Sequence, residues 1–275
     1  MGKTPARIAC LSAESADWLW RVGAWGRVVG VPTFFKMPAE CEPKPRISGF
    51  STARIKEISK LNPDLIITFS DVQAEFAREL IRMGFTVLAT NQRSLGEIET
   101  TLGLFSRVVG QEREGARLLA EFRERLAPAK STKSRPRTYF EEWKDPLVSG
   151  IGWVGELIER AGGRDIFDEL RTKRSATERV VSVEQVRECD PEVILASWCG
   201  RPVRMQEIKA RPGWHKITAV RNKQIYEISA EDILQPGFRL VEGYERIRQI
   251  FELMDREESN SHPIGVSKWT VPSRR

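Results

Sequence analysis

Histidine is nearly absent from this chain, and so are the motifs of the common cofactor enzymes. Only His215 and His262 occur among 275 residues, which excludes a histidine-based catalytic triad and a histidine-rich metal cluster. No GxGxxG or GxxxxGK[ST] segment is present, so we expect no loop for binding the phosphates of a dinucleotide or nucleoside triphosphate. Catalytic constellations are therefore scarce in this sequence.

Cysteines are few and scattered. The four are Cys10, Cys41, Cys189 and Cys199, without any CxxC spacing, so they predict no zinc site and require no oxidising compartment. Cys199, beside an aromatic residue, is a candidate nucleophile or soft metal ligand, but no base is identifiable for it.

Long apolar runs are also missing. No run approaches the roughly 20 residues that a membrane helix needs, so we expect no membrane insertion. The apolar run 8–11 is too short for the core of a signal peptide, and no small-residue cleavage site follows it. The sequence as given predicts a cytoplasmic protein, or a periplasmic or surface protein if an export signal was removed.

The positive charge does not indicate a nucleic-acid partner. The net charge is +6 and the pI is about 9.2, but acidic and basic residues alternate through most of the chain. The densest basic stretch, 130–137, contains Ser, Thr and Pro, which is typical of a solvated linker rather than a nucleic-acid patch.

What the sequence does contain is an alternation of short apolar runs with amphipathic segments, which predicts an α/β fold. Strands are predicted at 8–11, 28–31, 65–69, 86–89, 137–143, 193–197 and 224–228. Helices are predicted at 13–22, 54–61, 72–83, 95–109, 111–126, 155–161 and 239–254, with capping boxes at Ser94–Glu97 and Ser182–Gln185.

An internal repeat divides this alternation into two lobes. Asn62–Phe69 and Asp190–Ser197 share one pattern, in which an Asx-Pro-acid stop leads from a helix into a buried strand. The charged helix 111–126 spans roughly 25 Å, enough to run between two lobes. We therefore predict an N-terminal lobe (1–107), a bridging helix and linker (108–136), a C-terminal lobe (137–255) and a polar tail (256–275).

Aromatic and polar residues follow the predicted strands in both lobes. Because ligands of open α/β sheets bind beyond the carboxyl ends of strands, these residues are the candidate site. They are Phe34, Phe35, Phe50, Phe69, Ser70, Asp71, Glu142, Trp143, Trp198, Cys199, Gly200, Asp232, Gln235 and Arg239. Such a set suits a flat, largely apolar ligand with polar edges. The alternative, that a given aromatic only caps a core, stays open, and we assign Trp153 and Trp214 to lobe packing.

Five segments of this chain resemble one known family: Ile8–Ser15, Gly30-Val31, Lys60–Ile67, Ala161–Gly163 and Gln235–Arg239. That family is the cobalamin and ferric-siderophore class of ABC-importer substrate-binding proteins, and the resemblance covers about residues 6–254. Two further segments, Glu142–Pro146 and Trp198–Gly200, are similar to the cobalamin-binding branch in particular.

The resemblance implies two Rossmann-like lobes bridged by one long α-helix, with the ligand in the cleft between them. It implies that Phe35, Phe50 and Phe69 line one wall, and that Trp198 and residues 232–239 line the other. The chain would be a monomer without a cofactor of its own, its ligand being cobalamin or another metal chelate.

The resemblance also implies docking to an ABC permease through one acidic residue on each lobe. Glu184 matches the second-lobe position, whereas Lys56 stands at the first-lobe position with Glu57 beside it. We therefore expect Glu57 and Glu184 to serve this contact if a permease partner exists.

Three functions are consistent with these observations. The first is binding of a corrinoid by a protein that is not an enzyme. The second is binding of a ferric siderophore or haem, although haem requires an axial histidine or tyrosine, and Tyr139, Tyr226 and Tyr244 are weak candidates. The third is a cytoplasmic enzyme on the same scaffold, since a fold does not fix a function.

Overall fold

The two halves of the chain form two separate β-sheets. The computed structural model describes residues 4–129 and 135–259. The first sheet contains strands β1 to β5: Ile8–Cys10, Val28–Pro32, Arg46–Ser48, Leu65–Phe69 and Val87–Thr90. All are parallel, in the order β3-β2-β1-β4-β5. The chain leaves β3 and returns on the other side of β1, so the switch point of this sheet lies between β1 and β4.

Helices cover the first sheet because its central strands are apolar on both faces. Helices α1 to α5 are Ala13–Arg21, Ile55–Lys60, Ala74–Arg82, Leu95–Val108 and Glu112–Arg125, with short 3₁₀ turns at Trp25–Arg27 and Asp71–Gln73. Strand β1 is buried along its whole length, which requires helices on both sides of it.

The second sheet is mixed. Strands β6 to β10 are Arg137–Lys144, Leu147–Ser149, Arg164–Asp165, Val193–Ala196 and Ile225–Glu227. They lie in the order β10-β9-β6-β7, with β8 also paired to β6, and β7 is antiparallel to β6. Helices α6 to α11 are Gly152–Arg160, Val183–Cys189, Met205–Lys209, Thr218–Arg221, Ala230–Ile233 and Leu240–Ser259, with 3₁₀ turns at Asp168–Leu170, Thr177–Arg179 and Trp214–Lys216.

The predicted α/β fold with two lobes is confirmed, and the repeat explains it. In each lobe a short helix ends at an Asx-Pro pair and leads into a central strand, α2 into β4 and α7 into β9. Asn62 and Asp190 both have positive φ values, 43° and 40°, a conformation that Asn and Asp tolerate better than other residues. Asp190 also accepts a hydrogen bond from the Thr218 amide at 2.7 Å, which fixes the start of α9.

One predicted capping box is complete and the other is displaced. Ser182 accepts from the Gln185 amide while the Gln185 side chain accepts from the Ser182 amide. Ser94 accepts from the Glu97 amide, but the Glu97 carboxylate accepts from the amide of Arg93 at 2.5 Å. Both helices begin where the capping residues predict.

Several element boundaries differ from the predicted ones. Helix α6 begins at Gly152, three residues earlier than predicted; a Cβ at this position would lie 2.5 Å from the Arg93 carbonyl oxygen and 2.7 Å from that of Arg171. Helix α11 continues to Ser259, into the segment predicted as a polar tail. The rest of that tail, and residues 130–134 of the linker, lie outside the described residues.

Helix α5 connects the lobes. Phe122 on α5 packs against Phe238 of the second lobe, with ring centroids 5.8 Å apart. The helix ends at Arg125, whose guanidinium pairs with Glu245 at 2.7 Å and with Glu242 at 3.2 Å on α11. The exact limits assigned above to the lobes and the linker stay a prediction.

The lobes are also tied together away from this helix. The buried Arg93 donates to the Arg174 carbonyl at 2.9 Å, and Arg174 donates back to the Asn91 carbonyl at 2.5 Å. One apolar core runs through both lobes; it includes Trp18 and Trp153, while Trp214 lies buried in a second core. Trp153 and Trp214 therefore pack the lobes, as predicted.

Along 4–129 and 135–259 the structure has no helix long and apolar enough to cross a membrane.

Candidate functional site

A cavity of about 1080 Å³ opens between the two lobes at the carboxyl ends of their strands. The first lobe contributes residues 33–36 and Phe50. The second lobe contributes Trp143, the segments 197–202 and 227–231, and Leu234 with Gln235. This volume is at the upper end of the range of about 300–1,000 Å³ that small-ligand sites occupy. The cavity therefore suits a ligand larger than a typical metabolite.

Phe50 provides the free aromatic surface of the first-lobe wall. Its side chain is 47% exposed, and its ring meets that of Phe34 edge to face at 6.1 Å. Phe35, in contrast, is 3% exposed because its ring packs against Trp25. The loop that carries Phe50 is held by Gln73, whose amide donates to the Phe50 carbonyl at 3.3 Å.

Strand β3 fixes the rest of this wall. Arg46, in that strand, donates to the carbonyls of Pro32 at 2.8 Å and Phe35 at 2.7 Å. The Thr33 amide donates to the Ser48 carbonyl at 2.7 Å. These bonds satisfy the backbone of the 33–36 loop, so the loop holds its aromatic side chains at the cavity without regular secondary structure.

A tight turn forms the second-lobe wall. The Arg201 amide donates to the Trp198 carbonyl at 3.1 Å, and Gly200 between them has a φ of +70°, which glycine adopts readily. The Trp198 side chain itself is 2% exposed, and its indole donates to the buried carboxylate of Glu141 at 3.0 Å. The indole ring is thus almost entirely covered by the core, and Trp198 lines the cavity together with the other turn residues.

The charges around the cavity are balanced. Lys36 and Arg201 are the two cations of the lining, and Glu227 and Glu231 are its two carboxylates. Lys36 approaches Glu231 across the cleft at 3.9 Å, and the Arg201 guanidinium lies 5.7 Å from the centre of the Trp143 ring. A ligand with a large net charge therefore finds no net countercharge here.

Cys199 lies on the cavity wall at the tip of the turn. Although the residue as a whole is exposed, desolvation and secondly the Glu142 carboxylate raise the pKa of its thiol. The thiolate is the reactive form of cysteine, so a raised pKa lowers its nucleophilicity at neutral pH. This electrostatic setting disfavours the nucleophilic role considered from the sequence.

Eight of the fourteen predicted site residues line the cavity and six do not. Those in the lining are Phe34, Phe35, Phe50, Trp143, Trp198, Cys199, Gly200 and Gln235. The other six, Phe69, Ser70, Asp71, Glu142, Asp232 and Arg239, lie outside it and are mostly engaged with one another or with buried arginines.

On the first lobe, the displaced residues face a different hollow. Ser70 and Asp71 line a shallower space beside α3, and Asp71 pairs with Arg93 at 2.9 Å. The Arg93 guanidinium also covers the Phe69 ring at 5.3 Å. Phe69 therefore packs against Arg93, the residue that bonds to the second lobe, and does not line the cavity.

On the second lobe, the displaced residues are ion-paired. Glu142 receives two hydrogen bonds from Arg179, a residue that is 2% exposed. Arg239 donates to Asp232 at 2.5 Å. Adjacent residues on a strand face opposite ways, which is why Glu142 turns away from Glu141 and from the indole of Trp198.

The sequence prediction also missed cavity residues. The missing ones are Thr33, Lys36, Ser197, Arg201, Pro202 and Glu227–Glu231, whereas Leu234 lies in the segment 232–239 that the resemblance places on this wall. Arg201 could have been predicted from the sequence. The glycine after Trp198-Cys199 indicates a tight turn, and the last residue of such a turn lies beside its first residue. The others depend on how the loops are held, which local sequence does not encode.

The two carboxylates predicted to dock a permease are on the surface. Glu57 on α2 is paired with Lys60 at 2.9 Å, and Glu184 is exposed in the first turn of α7.

No group of three His, Cys, Asp or Glu side chains able to hold a metal ion occurs among residues 4–129 and 135–259.

The sequence and the fold of this chain are similar to those of known proteins. A family model described as periplasmic binding protein matches residues 8–231. A vitamin B12-binding protein of Vibrio campbellii is 24% identical over 252 residues, covering 90% of this chain and 89% of that protein. The solved periplasmic vitamin B12-binding protein BtuF of Vibrio cholerae superposes with a TM-score of 0.70 at 21% identity, covering 91% of this chain and 98% of that one. The periplasmic heme-binding protein RhuT of Roseiflexus sp. RS-1 gives 0.75 at 19% identity, covering 90% and 98%.

Proposed function

Since this chain belongs to the periplasmic binding protein family, we propose that it binds a corrinoid in the cavity between its lobes. The main support for this proposal is the cavity, which has a volume of about 1080 Å³. Aromatic side chains line it, and its positively and negatively charged side chains are equal in number. A corrinoid is a large, flat macrocycle rimmed by amides, so it matches apolar walls with a few polar groups at the edges. The vitamin B12-binding protein of Vibrio campbellii, which is 24% identical over 252 residues, supports the same choice.

Haem is the less suitable ligand for this cavity. Protein-bound haem needs an axial side chain, commonly histidine or tyrosine, and the described lining contains neither. Tyr139 and Tyr244 are fully buried in the lobe cores, and Tyr226 bonds with its hydroxyl to Gln224. The RhuT likeness supports only a shared fold, so haem binding stays the alternative.

A ferric siderophore is disfavoured by electrostatics. Siderophore complexes that are strongly anionic require several cations at the site. Here Lys36 and Arg201 are offset by Glu227 and Glu231, and the candidate residue Arg239 is bound to Asp232. A neutral or weakly charged chelate fits this balance better.

We propose that the chain is the receptor of an ABC import system. Its relatives are substrate-binding proteins of the cell envelope, so we infer a periplasmic or surface location and a permease contact through Glu57 and Glu184. The metal chelate would be cargo and the chain would hold no resident cofactor and catalyse no reaction. The raised pKa of the Cys199 thiol argues against a cysteine nucleophile at the cavity.

A panel of three ligands tests the proposal. The full chain is titrated with cyanocobalamin, haemin and a ferric catecholate, and binding is followed by equilibrium dialysis and visible spectra. We expect saturable binding of cyanocobalamin alone at one molecule per chain. Binding of haemin with a shifted Soret band, and no retention of cyanocobalamin, would replace the corrinoid proposal with the haem alternative.

A further inference from the structure

We propose that Glu141 is a positioning residue for the ligand cavity: held by Arg211, it orients the Trp198 indole and thereby fixes the turn Trp198–Arg201. This inference rests on the proposed function, because it assigns a role to a group behind the ligand cavity. Glu141 is fully buried in β6 and does not line the cavity, so it acts only through its neighbours.

A buried ion pair lies directly behind the cavity wall. The two terminal guanidinium nitrogens of Arg211 donate to the Glu141 carboxylate, Nη1 to Oε2 and Nη2 to Oε1 at 2.9 Å. The Arg211 side chain is nearly buried. Removing two charges from water is expensive, and apolar residues of similar volume often stabilise a fold as well or better. We therefore infer that the Glu141–Arg211 pair fixes the geometry of the cavity wall and does not serve stability alone.

That geometry is the position of Trp198. The indole Nε1 donates to Glu141 Oε1 at 3.0 Å, the same oxygen that accepts from Arg211 Nη2. The Glu141 main-chain carbonyl accepts from the Ser197 amide at 3.0 Å. The side chain and backbone of one residue thus hold two consecutive residues that lead into the turn. A buried indole N–H without an acceptor is costly, which restricts the ring to this orientation.

A second ion pair limits the ring from another direction. Lys144 lies on the same strand as Glu141, and its ammonium is 5.0 Å from the centre of the Trp198 ring. Lys144 is itself paired with Glu207 on α8 at 2.5 Å. The indole therefore has both its donor and its face engaged.

The turn transmits this constraint to the cavity. Trp198 accepts the closing hydrogen bond from the Arg201 amide at its main-chain carbonyl, so anchoring the indole in the core anchors the residue at which the turn begins. Cys199, Gly200 and Arg201 all line the cavity. A loosened Trp198 would accordingly displace three residues that face the ligand, although the Glu141 carboxylate never touches it.

Cys199 supplies a reporter that needs no ligand. Its thiol pKa is raised by its place on the wall and by Glu142, so release of the turn should increase its thiolate fraction and its rate of alkylation. The test compares Trp198→Phe with Trp18→Phe, using iodoacetamide and site-resolved peptide mass spectrometry. Trp18 is the matched control, because it is a fully buried tryptophan of the other lobe whose indole donates to the Ser106 hydroxyl at 2.9 Å.

We expect Trp198→Phe to raise the Cys199 alkylation rate roughly tenfold, the factor that corresponds to one lost hydrogen bond to a charged group. Cyanocobalamin affinity should fall by a similar factor. Trp18→Phe should lower the melting temperature comparably but leave both quantities within about twofold. Equal alkylation rates in the two variants would overturn the positioning role.

Two variants of Glu141 make the test independent of how Trp198→Phe folds. Glu141→Gln keeps an acceptor for the indole N–H but gives up one of the two bonds to Arg211, so its Cys199 rate should lie between those of the wild type and Trp198→Phe. Glu141→Leu removes both contacts and should behave like Trp198→Phe. Circular dichroism selects the folded preparations. A wild-type Cys199 rate in Glu141→Leu would also overturn the proposal. If the alkylation pattern holds while the wild-type chain fails to bind cyanocobalamin, the positioning role stands and the proposed ligand is wrong.

Discussion

Truncation of Phe50 is the perturbation that should weaken ligand binding most cleanly. A phenylalanine side chain presents about 200 Å², so the 47% of Phe50 that is exposed corresponds to roughly 90 Å². If a macrocycle covers this surface, its burial at about 25 cal/mol per Å² contributes about 2 kcal/mol. Phe50→Ala should therefore weaken cyanocobalamin binding by roughly 30-fold, as measured by isothermal titration calorimetry.

The matched control is Ile81→Ala. Ile81 is 58% exposed on α3 and does not line the cavity, so its truncation removes a comparable exposed apolar group elsewhere. Both variants should melt within a few degrees of the wild type, because neither side chain is buried in the free protein. Equal affinities of the Phe50 and Ile81 variants for cyanocobalamin would refute the reasoning and remove Phe50 from the ligand contact.

Three further outcomes follow from buried charges and from the contact between the lobes. Burial raises the pKa of Glu14 to about 7 from 4.5. As the pH rises, the Glu14 carboxyl therefore loses its proton in the unfolded chain before it does so in the folded chain. The free energy of unfolding should then fall by roughly 3 kcal/mol as pH rises from 4.5 to 7, and urea melts of Glu14→Gln should lack that slope. Arg93→Met should lower the melting temperature by several degrees, because it removes the bond to Arg174 across the lobes; an unchanged value would show that this tie is redundant. Small-angle scattering should give nearly the same radius of gyration with and without ligand, and a large contraction would contradict the shared core.

The fold could be predicted from the sequence because its signals are local. The Asx-Pro stops at Asn62 and Asp190, and the capping residue Ser182, each mark an element boundary through their own backbone preferences. Strand β3 escaped detection because it has only three residues and follows a proline-rich stretch. Its position depends on the bonds of Arg46 to the loop 33–36, which is a non-local arrangement.

The candidate site was predictable only in part, since strand ends locate a cleft but not the orientation of side chains. Trp198 follows β9 as expected, yet its ring is buried because Glu141 accepts its indole N–H. Arg239 follows the last strand, yet it is bound to Asp232. Which partner a polar group takes is decided by tertiary packing, so the sequence could not separate cavity residues from ion-paired neighbours.

The most direct test of the account is a crystal structure of the full chain with cyanocobalamin. We predict one corrinoid between the lobes, with its ring against Phe50 on one side and against the turn Trp198–Arg201 on the other. A crystal grown with excess cyanocobalamin in which this cavity holds no corrinoid, or in which the corrinoid lies in the hollow beside Ser70 and Asp71, would contradict it.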